Sequence, residues 1–288
     1  MQSPAEVVSK VRRLCRRVAT RWRSAKGVDQ RRLRGFVRRH RPESVRLDEA
    51  TAPRVSIVVP CFGHAEYLPD AFASIVSQTV APLQVVFVDD CSPDSTLELL
   101  RCLIEDAGPD RGQFTLVRNP RNLGQSATIN RAVDIARSDV VMVLNDDDYL
   151  MHDAVERMQS LFADNRSVHL IGTKSVYFYN DDYLHNHSKF VTDSLLSTTL
   201  RLRVSQPSDV FRFRTGREID MCHSGCAFTK GAWRAVGGYR PVLLERVVVP
   251  ADRDFQIRVN ALFRIAVVEN AAFAFWRVNS SVDQGLFS

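Results

Sequence analysis

The sequence predicts an α/β protein built on a doubly wound, mostly parallel β-sheet. Two observations predict this fold. Short apolar runs rich in β-branched residues alternate four times with helix-like segments, and polar residues follow most of the apolar runs. Because this alternation requires crossover connections, we expect parallel strands with helices on both faces of the sheet. A chain of 288 residues, 45% of them hydrophobic, is long enough to bury such a core.

The elements follow one another in a regular order. The predicted strands are VSIVVP (55–60), LQVVFV (83–88), FTLV (114–117) and VVMVL (140–144). A helix is predicted after each of the first three strands, and Ser92 or Ser95 opens the second helix. The residues expected to face the sheet recur at helical spacing; they are Leu68, Phe72, Ile75 and Val76, then Leu97, Leu100 and Ile104, then Ile129, Ala132, Val133 and Ala136.

The first 50 residues form a basic extension. They contain 15 Lys and Arg against 5 Asp and Glu, a balance of +10, while the rest of the chain has 24 against 28, a balance of −4. Apolar residues at helical spacing predict an amphipathic helix there, namely Val7, Val11, Leu14, Val18 and Trp22. Such a helix binds an anionic membrane surface, a nucleic acid or a protein partner, or is simply a solvated arm. The boundary is predicted near 50–53.

The sequence favours a cytoplasmic location. It has no run of 18 apolar residues that would span a membrane. The N-terminus also lacks the uninterrupted apolar region of a signal peptide. Peripheral attachment to the cytoplasmic face of a membrane, through the basic extension, is the alternative. We interpret the six cysteines as reduced thiols, because they lack CxxC spacing.

Polar residues follow the predicted strands where such sheets bind ligands, outside the carboxyl ends. Pro60, Cys61 and Phe62 end the first strand, Asp89 and Asp90 follow the second, and Asn145, Asp146, Asp147 and Asp148 follow the fourth. The first strand is not followed by G-x-G-x-x-G, which disfavours a dinucleotide-dependent oxidoreductase. The sequence has no G-x-x-x-x-G-K-[ST] motif, so a P-loop NTPase is also disfavoured.

Three consecutive carboxylates at a strand end need an explanation. Two carboxylates about 4 Å apart repel each other by about 4 kcal/mol at the effective dielectric of a protein surface. A divalent cation, Mn²⁺ or Mg²⁺, would make the cluster favourable, since it prefers carboxylate and diphosphate oxygens. The alternatives are a solvated loop, or a cap for a helix beginning near Asp153.

Three sequence blocks resemble family 2 glycosyltransferases of the GT-A fold. They are VSIVVPCFGHAEYLPDAFASIVSQT, VVFVDDCSPDST and NLGQSATINRAVDIARSDVVMVLNDDDYLMHDAVERM. The resemblance continues through SGCAFTKGAWRAVGGYRP and ADRDFQIRV, so it covers residues 54–260. It implies one domain at 51–288, with a nucleotide-sugar half (54–150) and an acceptor half (151–288). It also implies transfer of a sugar from a nucleoside diphosphate sugar to a hydroxyl, with inversion.

The resemblance also implies roles for individual residues. Phe62 stands where the family often has a Tyr that stacks on the base, and Asp89 and Asp90 match a pair that contacts base and ribose. LNDDD matches L-D-x-D-D with Asn145 in place of the first Asp, and the implied metal ligands are Asp147 and Asp148. The implied nucleotide-sugar contacts are Pro60, Phe62, Asp89, Asp90, Asp146, Asp147 and Arg277.

Inverting transfer also needs a general base that takes the proton of the acceptor hydroxyl. ADRDFQIRV resembles the family's E-D-x-D block, which implies Asp252 as the base, with Ala251 in place of Glu. Asp254 lies about 200° further round a helix, so at most one of the two faces the cleft. For each, the alternative is a carboxylate that stabilises the helix dipole.

The expected acceptor is a glycan, a lipid-linked sugar or another hydroxyl compound, and cell-envelope polysaccharide is the expected context. Two other classes remain open. A sugar-phosphate nucleotidyltransferase shares the alternating architecture, but VVPCFGHAEYL lacks its glycine-rich loop with Arg and Lys. A noncatalytic protein that binds a membrane or RNA through the extension is the other. The acidic residues of the predicted site disfavour it, and a nucleic-acid partner is not expected.

Overall fold

The computed structural model describes residues 52–108, 114–179, 199–207, 219, 221–240 and 251–278. The basic extension at 1–50 lies outside the described residues, so its helix and its membrane contact remain predictions. Among the described residues, no helix is both long enough and apolar enough to cross a bilayer.

The first half of the fold alternates strand and helix as the sequence predicts. Its elements are β1 (Val55–Cys61), α1 (Leu68–Val76), β2 (Gln84–Asp89), α2 (Thr96–Ala107), β3 (Phe114–Arg118), α3 (Gln125–Ile135) and β4 (Val140–Val143). Every predicted strand is present, with its ends shifted by one residue at most. Helix α1 begins at Leu68, the first residue of its predicted apolar face, and a proline, whose fixed φ suits a first helical turn, lies at its start. Helix α2 begins directly after Ser95.

The second half adds shorter helices and longer strands. Its elements are β5 (Tyr149–Leu150), α4 (Ala154–Asp164), β6 (Val168–Tyr179), β7 (Leu202–Ser205), β8 (Ala227–Thr229), α5 (Lys230–Val236), α6 (Ala251–Leu262) and β9 (Arg264–Val278). Helix α5 ends at Gly237, whose φ of +77° is the left-handed conformation that glycine adopts without strain.

The strands form one sheet in the order β3-β2-β1-β4-β8-β6-β9-β5, and β7 pairs with β9. The first four strands in this order are mutually parallel. Strand β8 is antiparallel to both β4 and β6, and β6 is parallel to β9. The α/β prediction is therefore confirmed. The sheet is parallel from β3 to β4, in the half predicted to bind the nucleotide sugar, and mixed from β8 onward.

Both faces of the central strands are buried, as expected where helices cover a parallel sheet on both sides. Ile57 and Val59 of β1 pack in one core with residues of α1 and α4. Val58, between them, packs in the other core with residues of α3, α5 and α6. This alternation follows from the two-residue period of a strand and explains why the strands read as continuous apolar runs.

The topology defines a carboxyl edge and an amino edge of the sheet. The carboxyl edge contains the C-terminal ends of β1, β2 and β4. The antiparallel strand β8 starts at this edge, because its first residue Ala227 pairs with Met142 and its last residue Thr229 pairs with Val140. Strand β6 runs parallel to β4, and so does β9, so β9 starts at the amino edge. Helix α6 ends at Leu262, just before β9. Its first turn therefore lies toward the carboxyl edge.

Candidate active site

Three strand ends meet at the carboxyl edge and are joined by hydrogen bonds. Cys61 at the end of β1 pairs with Asp89 at the end of β2. The Phe62 N–H, just after β1, donates to Asp146 Oδ2 at 2.9 Å. The Gly63 N–H donates to the Ser92 hydroxyl at 3.1 Å. The predicted polar residues after these strands are thus brought together. Pro60 lies within β1, opposite Val88, and is buried.

The Asp90 carboxylate is fully used by the protein itself. One oxygen accepts hydrogen bonds from Asn119 Nδ2 at 2.6 Å and the Leu123 N–H at 2.8 Å. The other accepts the Gly124 N–H at 2.8 Å. Residue 124 has a φ of +82°, which glycine tolerates, and it lies immediately before α3. Asp90 therefore holds the loop between β3 and α3 in place. A nucleotide contact by Asp90 would have to share these oxygens.

Asp89 is completely buried and also has partners within the protein. Its Oδ1 accepts the Ser92 N–H at 3.1 Å. Its Oδ2 lies 3.2 Å from Nε of the half-exposed Arg118. Because Ser92 in turn binds the Gly63 N–H, Asp89 supports the turn that follows β1. Its predicted contact with the nucleotide remains a prediction.

Phe62 differs from these acids because its ring is in contact with solvent. It is 39% exposed, which is unusual for a phenylalanine beside a buried strand end. Its backbone N–H is fixed by Asp146, so the position of the residue is defined while its ring is accessible. This is what a base-stacking residue requires.

Asp148, the third carboxylate of this turn, accepts three hydrogen bonds. Its Oδ2 accepts the Ser224 hydroxyl and Asn145 Nδ2, and its Oδ1 accepts the Arg277 N–H at 2.9 Å. Burial and the charge of Asp147 raise the pKa of Asp148 well above its usual value, although these hydrogen bonds act in the opposite direction. These hydrogen bonds give Asp148 a structural role, and its role as a metal ligand stays a prediction.

The structure groups a different set of ligand atoms. One ring nitrogen of His64 and one carboxylate oxygen each of Asp146 and Asp147 lie within 4.8 Å of one another. Burial lowers the pKa of His64, but its hydrogen bond to Asp146 and the charges of Asp146, Asp147 and Asp94 raise that pKa to about 9. Two carboxylates and an imidazole are a donor set that fits a divalent cation. This group contains the predicted ligand Asp147 together with His64 and Asp146, and does not contain Asp148.

The guanidinium of Arg277 is used to hold this turn. Its Nη2 lies 2.6 Å from Asp70 Oδ2, its Nε donates to the Asp147 carbonyl at 3.0 Å, and its Cζ lies 4.5 Å from the centre of the Tyr67 ring. The side chain is 4% exposed. Arg277 therefore joins α1 to the carboxylate turn. These contacts favour a structural role over the predicted contact with a diphosphate.

The two acids of α6 lie on different sides of the helix. Asp254 Oδ2 accepts a hydrogen bond from Arg258 Nε at 2.8 Å, one turn later on the same helix. The charge of Asp252 instead acts on His223, Cys226 and Tyr239: burial lowers the pKa of His223, and the Asp252 charge partly offsets that effect. The charge of Asp252 is thus felt by groups beside β8, while Asp254 has its partner on α6 itself.

The sequence analysis included Ser224, Gly225 and Cys226 in the resemblance but gave them no role, and the segment Met221–Cys226 interacts with both acidic regions. The Ser224 hydroxyl binds the Asp148 carboxylate and accepts the Asn145 N–H at 3.1 Å. The adjacent His223 places Nε2 at 3.2 Å from the Tyr239 hydroxyl, near Asp252. Gly225 allows the close approach with a φ of +77°, and a Cβ there would lie 3.1 Å from Ala274 Cβ. No local pattern in the sequence marks these contacts.

Comparison with known proteins identifies the family of this chain. Residues 56–230, more than half of the chain, match the model of Glycosyl transferase family 2. The chain belongs to this family. The matched residues end before Asp252, so the base assignment does not follow from the match itself.

Several relatives share this family character. The chain is 26% identical over 208 residues to a PGL/p-HBAD biosynthesis glycosyltransferase of Mycobacterium tuberculosis, covering 72% of this chain and 70% of the relative. It is 31% identical over 121 residues to chondroitin synthase of Pasteurella multocida, covering 42% of this chain and 12% of that protein.

Solved structures show the same fold. TarS (residues 1–349) of S. aureus in complex with UDP-GlcNAc superposes with a TM-score of 0.57 at 16% identity, over 79% of this chain and 59% of TarS. The mannosyltransferase PcManGT of Pyrobaculum calidifontis, in complex with GDP-Man and Mn²⁺, gives a TM-score of 0.53 at 20% identity, over 84% of this chain and 63% of that one. The chain thus spans about 60% of each structure's length, and the GT-A-type fold is confirmed.

Proposed function

We propose that this glycosyltransferase moves a sugar from a nucleoside diphosphate sugar to an acceptor hydroxyl with inversion, assisted by a divalent cation. The observation that carries this proposal is the group His64, Asp146 and Asp147 at the carboxyl edge of the parallel strands. Ligands of open α/β sheets bind at this edge. The family match makes a glycosyltransferase the better interpretation than a nucleotidyltransferase.

In this proposal the residues after β1 and β4 bind the donor. Phe62 stacks on the base, and the turn that follows it after β1 is held by Ser92, which Asp89 binds in turn. His64, Asp146 and Asp147 would hold the cation, which when bound offsets the negative charge that develops on the diphosphate leaving group. Asp90 and Arg277 act by fixing the loops that carry these groups, and Asp148 fixes the turn through Ser224.

The acceptor is activated by Asp252 in this proposal. The carboxylate is half-buried in the first turn of α6, on the side of His223 rather than of Arg258. It would accept the proton of the hydroxyl as the oxygen attacks the anomeric carbon. In an in-line attack, the acceptor oxygen forms its bond to the anomeric carbon on the face opposite the diphosphate while the bond to the diphosphate breaks, and this inverts the anomeric centre.

Relatives suggest which substrates to test first. The solved structures of this fold contain UDP-GlcNAc in one case and GDP-Man with Mn²⁺ in another. The relatives include a PGL/p-HBAD biosynthesis glycosyltransferase and a chondroitin synthase. We therefore propose a UDP- or GDP-sugar as donor, and a glycan or a lipid-linked hydroxyl compound as acceptor. Work at the cytoplasmic face of a membrane would suit the basic extension.

The test is release of nucleoside diphosphate from a panel of UDP- and GDP-sugars, with Mn²⁺, with Mg²⁺ and with chelator. We expect release from one donor to require a divalent cation and to increase with an acceptor. NMR of the product should show an anomeric configuration opposite to that of the donor. Release that continues unchanged in chelator would contradict cation assistance, and a retained configuration would contradict inversion. Failure of every donor to react would contradict the proposed donor class.

A further inference from the structure

His64 is a buried histidine whose ring is not satisfied by the protein. It is 6% exposed, with Nδ1 at 2.9 Å from Asp146 Oδ1. The other ring nitrogen, Nε2, is buried and has no hydrogen-bond partner among the described residues. Leaving a buried polar atom unpaired is costly, so native proteins nearly always satisfy it. The ring therefore suits a ligand that the folded chain by itself does not supply.

The positions of the donor atoms fit a single cation. Two neighbouring ligand atoms around an octahedral ion, each about 2.1 Å from it, lie about 3.0 Å apart, and two opposite ones about 4.2 Å apart. One ring nitrogen of His64 and one carboxylate oxygen each of Asp146 and Asp147 lie within 4.8 Å of one another. This spread is close to the separation of two opposite ligands around one ion.

The surroundings hold this set in place. The Phe62 N–H binds Asp146 Oδ2, which leaves Oδ1 directed at His64. Arg277 Nε binds the Asp147 carbonyl and so fixes the backbone beside that carboxylate. Asp148 lies outside this group of three, and its oxygens accept hydrogen bonds from the Ser224 hydroxyl, the Asn145 amide and the Arg277 N–H.

We propose that His64 is a nitrogen ligand of the cation site formed with Asp146 and Asp147, and that this nitrogen makes the site select Mn²⁺ and Co²⁺ over Mg²⁺. The proposal rests on the proposed function, in which the same site binds the donor's cation. Mg²⁺ is bound through oxygen and holds its water strongly, whereas imidazole nitrogen suits later first-row metals. An all-carboxylate site would lack this preference.

Binding measurements on the full chain test the proposal without relying on activity. Calorimetric titrations with Mn²⁺, Co²⁺ and Mg²⁺, alone and with UDP or GDP, compare the natural protein with His64→Gln. We expect His64→Gln to weaken Mn²⁺ and Co²⁺ binding by about 10- to 100-fold, and Mg²⁺ binding by no more than about threefold. His152→Gln, at an exposed histidine outside the group, is the matched control and should change neither.

Pulsed EPR of bound Mn²⁺ adds a direct readout. The natural protein should show coupling to ¹⁴N, and His64→Gln should not. Absence of ¹⁴N coupling in the natural protein overturns the proposal, as does equal Mn²⁺ affinity in a folded His64→Gln variant or no metal binding in any arm. If His64→Gln does not fold, the EPR spectrum of the natural protein decides alone. Metal-dependent sugar transfer without ¹⁴N coupling would leave the proposed function standing, whereas nitrogen-coupled Mn²⁺ without turnover of any donor would count against that function only.

Discussion

Two histidines at opposite edges of the sheet are equally buried, each 6% exposed, yet their pKa values move in opposite directions. At the amino edge, His169 contacts the Phe263 ring and the Thr229 hydroxyl, and burial lowers its pKa to about 4. At the carboxyl edge, burial also lowers the pKa of His64, but Asp146 and its acidic neighbours raise it to about 9. The opposite directions have different causes: acidic groups raise the pKa of His64, whereas burial is the cause that lowers the pKa of His169.

A second contrast lies within the carboxyl edge itself. Asp89 and Asp90 follow β2 and bind backbone N–H groups, Asn119 and Arg118, so the protein itself compensates their charge. Asp146 and Asp147 follow β4 and group with His64, whose Nε2 lacks a partner. Acidic residues after a buried strand thus brace loops after β2 and, in the proposed function, hold a cation after β4. Mutations can separate these roles.

The largest effect is expected at the base. Asp252→Asn keeps the shape of the side chain and removes the proton acceptor, so kcat should fall by roughly 10²- to 10⁴-fold. Donor affinity, measured by calorimetry, should be nearly unchanged. Asp254→Asn is the matched control, because that carboxylate is bound to Arg258. A folded Asp254→Asn variant with the greater loss in kcat would show that the base has been assigned to the wrong acid.

The next effect is expected in the cation site. Asp147→Asn removes one charged ligand, and we expect transfer to fall by roughly 10²- to 10³-fold, as when a group that stabilises developing charge is removed. Metal-dependent donor binding should be lost in calorimetry. Asp139→Asn is the control at the other end of the same strand: Asp139 is exposed and precedes β4. Equal loss of activity in both variants would contradict a special role for the acidic residues at the carboxyl edge.

For Asp90 the expected effect is on the stability of the fold. Asp90→Asn replaces a carboxylate that accepts three hydrogen bonds with a group that has one acceptor oxygen. We expect the free energy of unfolding to fall by roughly 2 to 3 kcal/mol, the size expected for hydrogen bonds to a charged group. Urea unfolding would measure this, with Asp106→Asn on the exposed side of α2 as control. An unchanged midpoint for Asp90→Asn would remove its role as a brace.

Features that depend on local sequence were predictable. The four strands follow from short β-branched runs, and the buried residues of α1, Leu68, Phe72 and Ile75, follow from helical spacing. The separation of Asp252 from Asp254 follows from the angle between neighbouring positions on a helix. The resemblance added the order of the blocks and the family, which the comparison confirms.

Contacts between distant parts of the chain were not predictable. His64 meets Asp146 from 82 positions away, Ser224 meets Asp148 from 76 and Arg277 meets Asp70 from 207. Each contact uses a residue type that is common on protein surfaces and follows no local period. For this reason the sequence identified an acidic turn after β4 but not the distant partners of its carboxylates, such as Ser224 for Asp148 and His64 for Asp146.

The smallest effect concerns His169 and tests the contrast between the two edges directly. Because its folded-state pKa lies near 4, below the value of 6.5 for an unfolded chain, the unfolded state binds a proton first as pH falls. The stability that the neutral ring contributes is complete above about pH 6.5 and is lost progressively between 6.5 and 4. At pH 5.5 the loss should be about 1 kcal/mol. His169→Gln cannot take up this proton, so the difference in unfolding free energy between the natural protein and the variant should narrow or reverse as pH falls from 7 to 5.5. Urea unfolding at several pH values measures it. A difference that stays constant over this range would mean that His169 titrates normally, and that burial at the amino edge does not lower its pKa as the structure indicates.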